Sequence, residues 1–335
     1  MKSLILAIES SCDDSSLAII DKNTLECVFF KKISQELAHS KFGGVVPELA
    51  ARLHTTALPQ ILNECKDYFN KLCAIAVTNE PGLNVSLLGG VTMAKLLSLS
   101  LKLPLIAVNH LIGHIYSLFL TQKSCFDMGV LLVSGGHTLL VRVDEGGELE
   151  ILAKTGDDSF GESFDKVAKM MNLGYPGGVA VEQLAQKAKK KDIVFPVPLL
   201  HSKELAFSFS GLKNAVRLKL NEFENLNEAQ KSEIAFAFEE AAIKHLLDKT
   251  SKIFKTNSFK HFGVVGGASA NLKLRARLKA LCESFHCELK LTPLEFCADN
   301  ALMIARAACS LYERGEFVKI SNDIISPKNT TFFRL

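Results

Sequence analysis

The sequence predicts an α/β protein with two lobes, each built from a strand hairpin, a third strand and helices. In SLILAIESSCDDSSLAIID, two apolar strands flank a polar turn from Ser10 to Ser15. Residues 128–143, MGVLLVSGGHTLLVRV, repeat this plan. After each hairpin, strand patterns alternate with helical patterns, which is typical of α/β lobes. A length of 335 residues with 48% hydrophobic residues is sufficient for two cores.

The remaining elements follow from hydrophobic periodicity and from residues that begin or end helices. Pro47 suits the first position of a helix over PELAARLHTTAL. The other predicted strands are Leu25 to Ile33, Cys73 to Val77, Leu105 to Val108, Leu149 to Lys154, His261 to Val265 and Glu288 to Leu291. The other predicted helices are Val85 to Lys102, Glu162 to Met171, Val179 to Lys191, Glu228 to Lys255, one from Ser269, and Asp299 to Glu313, ended by Gly315.

These elements predict a first lobe over residues 1–108 and a second lobe over residues 109–309, which carries the nucleotide and metal site. The C-terminal helix and tail, residues 310–335, are expected to pack back on the first lobe. No low-complexity linker separates the lobes. We therefore expect closely coupled lobes with a ligand in the cleft between them.

The composition favours a soluble cytoplasmic protein. The longest apolar stretch, near Leu96 to Val108, is interrupted by Lys102 and Pro104, so no membrane span is expected. The N-terminal apolar run meets Glu9, which does not suit a signal peptide. Nine cysteines without a C-x-x-C pair indicate reduced core residues rather than a disulfide framework.

The net charge of +3 requires any nucleic-acid contact to use local basic clusters. For each cluster the alternative is an ordinary solvated helix face. The clusters are Lys187 with Lys189, Lys190 and Lys191; Lys213, Arg217 and Lys219; and Lys273, Arg275, Arg277 and Lys279.

Three turns of small residues are candidate nucleotide contacts. The turn from Ser134 to His137, SGGH, exposes main-chain N–H groups suited to a phosphate, or is simply a hairpin turn that needs glycine. In the first hairpin, Asp13 and Asp14 suit a magnesium ion bridging to phosphate, or form a plain polar turn. The third turn, VVGGASAN, leads into a helix capped by Ser269 and suits a polar group and a flat ring. Together the turns are typical of the nucleotide-binding fold of actin, hexokinase and the heat-shock ATPases.

The segment HLIGH places two histidines on one helix face. The side chains of His110 and His114 are about 6 Å apart at their bases, which lets both imidazoles reach one metal ion. Leu111 stands where a zinc protease of the HExxH type has its glutamate, which disfavours peptide hydrolysis. Asp299 is a candidate third ligand, with a helix cap as its alternative role. Two histidines and a carboxylate suit iron(II) or zinc.

The chain resembles the tRNA N6-adenosine threonylcarbamoyltransferases, formerly called O-sialoglycoprotein endopeptidases. The resemblance covers nearly the whole chain. It runs, in order, through IESSCDD, FGGVVPELAAR, PGL, HLIGH, LLVSGGHT, GESFDKVAK, YPGG, FSFSGLK, GGASAN and FCADN. It implies a two-lobed actin-like fold and transfer of the threonylcarbamoyl group from L-threonylcarbamoyl adenylate to N6 of the adenosine following the anticodon in tRNAs that read A-starting codons, with release of AMP.

The resemblance also implies site residues, a cofactor and partners. The metal ligands are His110, His114 and Asp299, with iron(II) preferred over zinc, and Mg²⁺ can accompany the nucleotide. The partners are tRNA, a shorter degenerate paralogue and a small P-loop ATPase. No general base is assigned. The implied substrate contacts are Leu132, Val133, Ser134, Gly135, Gly136, Asp165, Gly178 and Asn271.

Two of these residues also suit roles without a ligand, and two further positions depart from the family pattern. Asp165 also suits the role of a solvated helix residue, and Gly178 also suits the role of a turn glycine after Pro176. Glu80 in NEPGL replaces a glycine common in the family, which questions the geometry of this turn. Glu182 replaces an aspartate and is considered only as a hydroxyl contact. Two other functions remain open: an ATP-dependent small-molecule kinase of the same fold, and a non-catalytic nucleotide-binding subunit.

Overall fold

The computed structural model describes residues 2–321 and 323–325, and the chain divides into two units. The first unit is Met1–Cys125 with Ala298–Leu335, and the second is Phe126–Cys297. The boundaries therefore differ from the expected 108/109 and 309/310. The reason is that the helix after Asp299 packs on the first sheet and the HLIGH helix packs on that same helix, so both belong to the first unit.

Ten strands form two five-stranded sheets. The strands are β1 (Leu4–Glu9), β2 (Asp14–Asp21), β3 (Cys27–Ser34), β4 (Leu72–Glu80), β5 (Leu105–Asn109), β6 (Met128–Val133), β7 (Thr138–Val143), β8 (Leu149–Lys154), β9 (His261–Val265) and β10 (Glu288–Leu291).

The α-helices lie between and after these strands. They are α1 (Glu36–Ser40), α2 (Pro47–Glu64), α3 (Asn84–Leu101), α4 (His110–Tyr116), α5 (Phe160–Met170), α6 (Gly177–Gln186), α7 (Ser210–Leu220), α8 (Glu228–Phe254), α9 (Leu272–Ser284) and α10 (Ala301–Glu313).

The two sheets have the same strand order. It is β3-β2-β1-β4-β5 in the first unit and β8-β7-β6-β9-β10 in the second. In each sheet the first three strands of the unit pair antiparallel, whereas the last two run parallel to the hairpin's first strand. The predicted repetition of one strand-hairpin and helix unit is thus confirmed, although the residues of the two halves differ.

The core of each unit explains why the central strands are apolar, apart from Glu9 at the end of β1. Every side chain of β1 and β6 is buried. In the first unit, α2 packs on β2 and α3 on β4, while α10 packs on β1, β2, β4 and β5. A central strand covered in this way has no solvated face and reads as a continuous apolar run.

Helix α3 is apolar and only partly buried. Of the helices that the structure describes, it is the one whose length and composition would allow it to cross a membrane. One face packs on α2 and β4. The other face exposes Val85, Leu88, Leu96 and Leu99. An exposed apolar strip of this kind indicates a contact surface.

Several element boundaries differ from expectation. Helix α2 continues through Pro59 to Glu64, because Leu58 and Ile61 are buried and their packing outweighs one missing N–H donor. Helix α6 ends at Gln186, before the run of lysines, whose like charges disfavour helix. Helix α7 was not predicted; it buries Leu212 and Val216.

Candidate metal centre and nucleotide-binding turns

The candidate metal centre lies at one edge of the first sheet. All three of its residues belong to the first unit, whereas the expected lobe boundaries put them in the second lobe. Strands β1, β4 and β5 are parallel, so their carboxyl ends meet at the same edge. Helix α4 begins immediately after β5. Asn109 caps it by accepting hydrogen bonds from the main-chain N–H groups of Leu111 at 2.9 Å and Ile112 at 3.3 Å. This cap holds His110 at the first position of the helix.

The three predicted ligands converge. Oδ1 of Asp299 lies 3.3 Å from Nε2 of His110 and 3.2 Å from Nε2 of His114. The three ligand atoms all lie within 4.8 Å of one another. Donors bound to one tetrahedral ion at about 2.0–2.2 Å are separated by roughly 3.3–3.6 Å. The donor set therefore suits a metal ion, and it is the one such group of three or more among the described residues.

Asp299 is available as a ligand because its neighbour caps the helix. The Asn300 side chain accepts from the N–H of Met303 at 3.0 Å and is the N-cap of α10. The alternative role of Asp299 as the cap is thus wrong. The main-chain oxygen of Asp299 accepts from Lys32 Nζ at 3.3 Å, which fixes this residue against β3.

The charged groups of the cluster shift one another's pKa values. Burial alone would lower the pKa of His110, but Asp299 and Glu9 raise it well above the usual 6.5. Burial alone would raise the pKa of Asp299, but His110 and then His114 hold it well below 3.8. Burial lowers the pKa of His114. The site therefore combines an anionic carboxylate with imidazoles that respond differently to the same surroundings.

Glu9 is the residue that sequence reasoning missed. It ends β1 and is fully buried. Its Oε2 lies 3.1 Å from Nδ1 of His110 and accepts from the Thr78 hydroxyl, while Oε1 accepts from the N–H of Ser11 at 2.6 Å. Burial tends to raise the pKa of Glu9, but His110 lowers it. The feature of the sequence that could have identified Glu9 is a carboxylate at the end of an otherwise apolar strand.

The aspartates of the first turn have other contacts. Lys32 Nζ lies 2.9 Å from Oδ2 of Asp14. Burial raises the pKa of Asp14 to about 6, although Lys32 opposes the shift. Its Oδ1 is buried without a hydrogen-bond partner among the described residues. The main-chain oxygen of Asp13 accepts from Gln35 at 3.2 Å. A magnesium ion at this turn stays a prediction.

The SGGH turn of the second unit is closed by hydrogen bonds. The N–H of Ser134 donates to the His137 oxygen at 2.9 Å, and the N–H of His137 donates to Ser134 Oγ at 3.0 Å. Ser159, the N-cap of α5, donates to the Gly135 oxygen at 2.7 Å. Gly135 and Gly136 are exposed, and a Cβ at either would meet nothing within 4 Å. Two glycines with open space beside them leave their main chain accessible to a ligand.

Leu132 and Val133 differ from the rest of this predicted set. Both lie in β6 with buried side chains. Leu132 pairs with Leu139 of β7 on one side and Val265 of β9 on the other. Their side chains therefore serve the core, and any substrate contact they make is through the main chain.

The VVGGASAN turn begins where β9 ends, beside the end of β6. At Gly266 φ is +93°, and a Cβ there would come within 2.3 Å of the Val133 oxygen, so only glycine is accommodated. A 3₁₀ turn, Gly267–Ala270, follows, and α9 is capped by Asn271, whose side chain accepts from Leu274 N at 2.7 Å. The expected cap, Ser269, is therefore wrong, because the 3₁₀ turn delays the helix.

Asn271 is also held from a second side. Its Nδ2 donates to Oε1 of Glu239 at 2.8 Å, and Glu239 is buried. Lys273 Nζ lies 3.1 Å from the other carboxylate oxygen of Glu239. The Asn271 amide is thus fixed in orientation by charged and main-chain partners.

The remaining predicted residues lie at α5 and α6. Oδ1 of Asp165 accepts from the N–H of Gly177 at 2.8 Å and so joins the two helices. Gly178 has open space where a Cβ would stand. Glu182 accepts from the N–H of Leu272 at 2.8 Å, and burial raises its pKa. These contacts give Asp165 and Glu182 structural roles in addition to any ligand contact.

The NEPGL turn does not require glycine at position 80. Glu80 is the last residue of β4 and is not among the residues with positive φ. The glycine that matters is Gly82, where a Cβ would lie 2.7 Å from the Ser11 oxygen. The departure at Glu80 is therefore compatible with the backbone.

Comparisons with known proteins place the chain beside one family. The family model described as TsaD, tRNA N6-adenosine threonylcarbamoyltransferase, matches residues 27–306. A protein of that name from Campylobacter jejuni (strain NCTC 11168) is 68% identical over 335 residues, covering all of both chains. Another, from Campylobacter hominis, is 55% identical and covers 99% of this chain and 100% of its own.

Two solved structures show the fold. HypF from T. kodakarensis has a TM-score of 0.63 at 15% identity and covers 94% of this chain and 48% of its own. The activator of the 2-hydroxyisocaproyl-CoA dehydratase from Clostridium difficile, with bound ADPNP, has a TM-score of 0.53 at 13% identity and covers 96% and 100%. Together with the two mixed sheets, these similarities confirm the predicted actin- and hexokinase-like fold class.

Proposed function

This chain belongs to the tRNA N6-adenosine threonylcarbamoyltransferase family, and from that premise we propose its reaction in detail. The chain transfers the threonylcarbamoyl group of L-threonylcarbamoyl adenylate to N6 of the adenosine following the anticodon in tRNAs that read A-starting codons. A bond forms between N6 and the carbamoyl carbon, N6 gives up one proton to solvent, the bond from that carbon to the phosphate oxygen breaks, and AMP leaves. The convergence of His110, His114 and Asp299 carries the proposal.

The three ligands would hold iron(II), with zinc as the alternative. Two imidazole nitrogens and one carboxylate oxygen leave open coordination positions and suit either ion. When bound, the ion supplies a Lewis acid for the carbonyl of the threonylcarbamoyl group. The mixed anhydride already carries the energy of the reaction, so the protein's task is to orient two substrates and stabilise charge.

The second unit supplies the proposed adenylate contacts. Gly135 and Gly136 can present main-chain N–H groups to the phosphate because no side chain intervenes. The Asn271 amide has a second N–H and a second lone pair beyond its contacts with Glu239 and Leu274. Asp165 and Gly178 complete the proposed contacts, and Asp14 offers a carboxylate oxygen for a magnesium ion that accompanies the nucleotide.

We assign the paralogue interface to α2 and α3. A groove of about 640 Å³ between them is lined by apolar residues that include Leu62, Leu88 and Leu96. The exposed strip on α3 continues this surface. Leu58 of α2 is buried and contributes to the core of the first unit. The proposed occupant is the shorter paralogue, which as a relative of this chain is expected to have helices equivalent to α2 and α3 with an apolar face of their own. The P-loop ATPase is proposed as a further member of the assembly, in the cytoplasm.

The proposed tRNA surface includes Lys203, Lys213 and Arg217. Lys203 and Arg217 are exposed. Lys213 forms an ion pair with Asp158, which neutralises part of its charge. The Arg217 guanidinium donates to the Asn214 side chain, and this contact orients it at the surface of α7. Arg217 is therefore the residue of the three best suited to a phosphate contact.

The test is a transfer assay with supplied adenylate and tRNA, with metal quantitation on the same anaerobic preparation and with partner proteins present or absent. We expect His110→Ala and His114→Ala to reduce transfer by about 100-fold or more, since loss of a Lewis acid costs several kcal/mol. His286→Asn is the matched control, because His286 is exposed with φ of 54°, which asparagine tolerates. Wild-type transfer in the alanine variants would remove the metal from the reaction.

The same preparation distinguishes the proposed transfer from the two other functions, a small-molecule kinase and a non-catalytic nucleotide-binding subunit. A kinase of this fold has no need of a His-His-Asp metal site, so stoichiometric iron or zinc argues against it. Transfer of labelled threonine into tRNA excludes a non-catalytic subunit. Phosphorylation of a small molecule from ATP without transfer would favour the kinase.

A further inference from the structure

We propose that Glu9 sets the tautomer of His110, so that Nε2 of this histidine is the metal-binding nitrogen. Glu9 is a positioning residue that acts through His110 and does not contact the metal itself. This inference rests on the metal-binding part of the proposed function.

The two nitrogens of a neutral imidazole have different roles, one carrying a proton and one a lone pair. If Nε2 binds the metal, Nδ1 carries the proton and needs an acceptor, because a buried N–H without one is costly. His110 is 7% exposed, and its Nδ1 lies 3.1 Å from Oε2 of Glu9. On the side of the ring away from Asp299, Nδ1 faces two groups, the Glu9 carboxylate and the Ser11 hydroxyl, whose Oγ lies 3.2 Å away. The carboxylate is the stronger acceptor because it carries a charge, whereas the hydroxyl is neutral and can also donate.

Glu9 itself is held so that it accepts from His110. Its Oε1 accepts from the main-chain N–H of Ser11, and its Oε2 accepts from the hydroxyl of Thr78 on the neighbouring strand β4. A main-chain N–H cannot become an acceptor. The carboxylate is therefore fixed with acceptor atoms on both sides. A hydrogen-bonded carboxylate behind a histidine ligand fixes the ring and raises its strength as a ligand.

The second histidine has no equivalent support. Nδ1 of His114 is buried and has no hydrogen-bond partner among the described residues. Its Nε2 faces Asp299, as that of His110 does. The two imidazoles thus share one carboxylate on the ligand side, whereas His110 alone has a carboxylate on the other side. We infer that His110 is the firmly oriented ligand of the pair.

Glu9→Gln tests this arrangement with a change of few atoms. The amide oxygen must face the Ser11 N–H, so the amide NH₂ group faces Thr78 and His110. The Thr78 hydroxyl can rotate and accept, but Nδ1 of His110 then faces an N–H donor where it had a carboxylate, and its one remaining acceptor among the described residues is the neutral Ser11 hydroxyl. The variant therefore favours the tautomer with the proton on Nε2, where it competes with the metal.

The experiment measures Zn²⁺ affinity at one pH by competition with a chelator. We expect Glu9→Gln to weaken binding by about 10- to 100-fold. Glu239→Gln is the matched control, because Glu239 is also a buried, hydrogen-bonded glutamate but lies in the second unit. We expect wild-type affinity in that control. Unchanged affinity in Glu9→Gln, with zinc bound by the wild type, would overturn the inference.

A double-mutant cycle tests whether Glu9 acts through His110. If it does, Glu9→Gln has little further effect on zinc affinity in a His110→Ala background. An undiminished effect there would mean that the charge of Glu9 acts on the metal directly, against the inference.

A measurement on the wild type does not depend on variant folding. In the zinc-loaded protein, ¹⁵N NMR should show a proton on Nδ1 of His110 and zinc on Nε2. Zinc on Nδ1 contradicts the inference. If the wild type binds no zinc or iron, the metal part of the proposed function fails instead, so the two failures are distinguishable.

Discussion

The ends of the first strand in the two units have the same place in the sheet and opposite chemistry. Strand β1 ends in a buried carboxylate and leads into a turn with two aspartates, beside the histidines of α4. Strand β6 ends at the buried Val133 and leads into a serine and two exposed glycines, none of which carries a charge. One end offers side-chain donors that suit a cation, and the other offers main-chain N–H groups that suit an anion. The repeated fold thus fixes positions, while the residues at the strand ends decide the ligand.

The largest expected effect tests the side-chain half of this comparison. Asp299→Ala removes the carboxylate shared by both histidines, and we expect metal content to fall to background and transfer to drop by about 100-fold or more. Gly135→Ala in the second unit should keep the metal content of the wild type. Metal analysis and the transfer assay provide the measurements. Loss of metal in both variants would mean that the two strand ends do not act separately.

The next largest expected effect tests the second unit's side of the comparison, where main-chain N–H groups are the proposed donors. Gly266→Ala places a Cβ within 2.3 Å of the Val133 oxygen at a φ of +93°, so we expect the free energy of unfolding to fall by about 2–4 kcal/mol. Gly135→Ala has open space and should leave stability within about 0.5 kcal/mol while weakening adenylate binding. Urea unfolding measures the free energy of unfolding of each variant, and adenylate titration measures its affinity for the adenylate. Equal stability of the two variants would contradict the described approach of the turn to β6.

A pH dependence distinguishes the buried histidine of the second unit. Burial lowers the pKa of His245 from 6.5 to about 4, so the unfolded chain binds more protons between these values. Stability should therefore be complete above pH 6.5 and fall by about 2–3 kcal/mol as pH drops to 4. His245→Gln keeps an acceptor for the N–H of Ser208 and should flatten this profile. An unchanged profile would assign the pH dependence to other groups.

The smallest expected effect concerns tRNA affinity at the proposed tRNA surface. Arg217→Glu should weaken tRNA binding by roughly 3- to 10-fold and reduce the slope of log affinity against log salt by about 1, since one phosphate contact is lost. Adenylate affinity and metal content should not change. Lys71→Glu, at an exposed position just before β4 and outside the basic clusters, is a control of equal charge change. Equal loss in both variants would indicate a general charge effect rather than a contact of Arg217.

The sequence predicted what depends on local pattern. Hairpins, strands and the His110–His114 pair follow from spacing, and β8, β9 and β10 begin and end where periodicity placed them. Glu9 could not be assigned in this way, because its role depends on Thr78 and His110, which neighbouring strands bring to it. The cap at Asn271 rather than Ser269 likewise depends on a 3₁₀ turn that periodicity does not encode.

Helix α10 completes the first unit from the far end of the chain. Asp299 follows His114 by 185 residues, although the two side chains touch the same site. During synthesis on the ribosome, both imidazoles emerge long before the carboxylate does. A nascent chain therefore carries only two of the three proposed ligands until a further 185 residues have been translated, and the candidate metal site is complete only then.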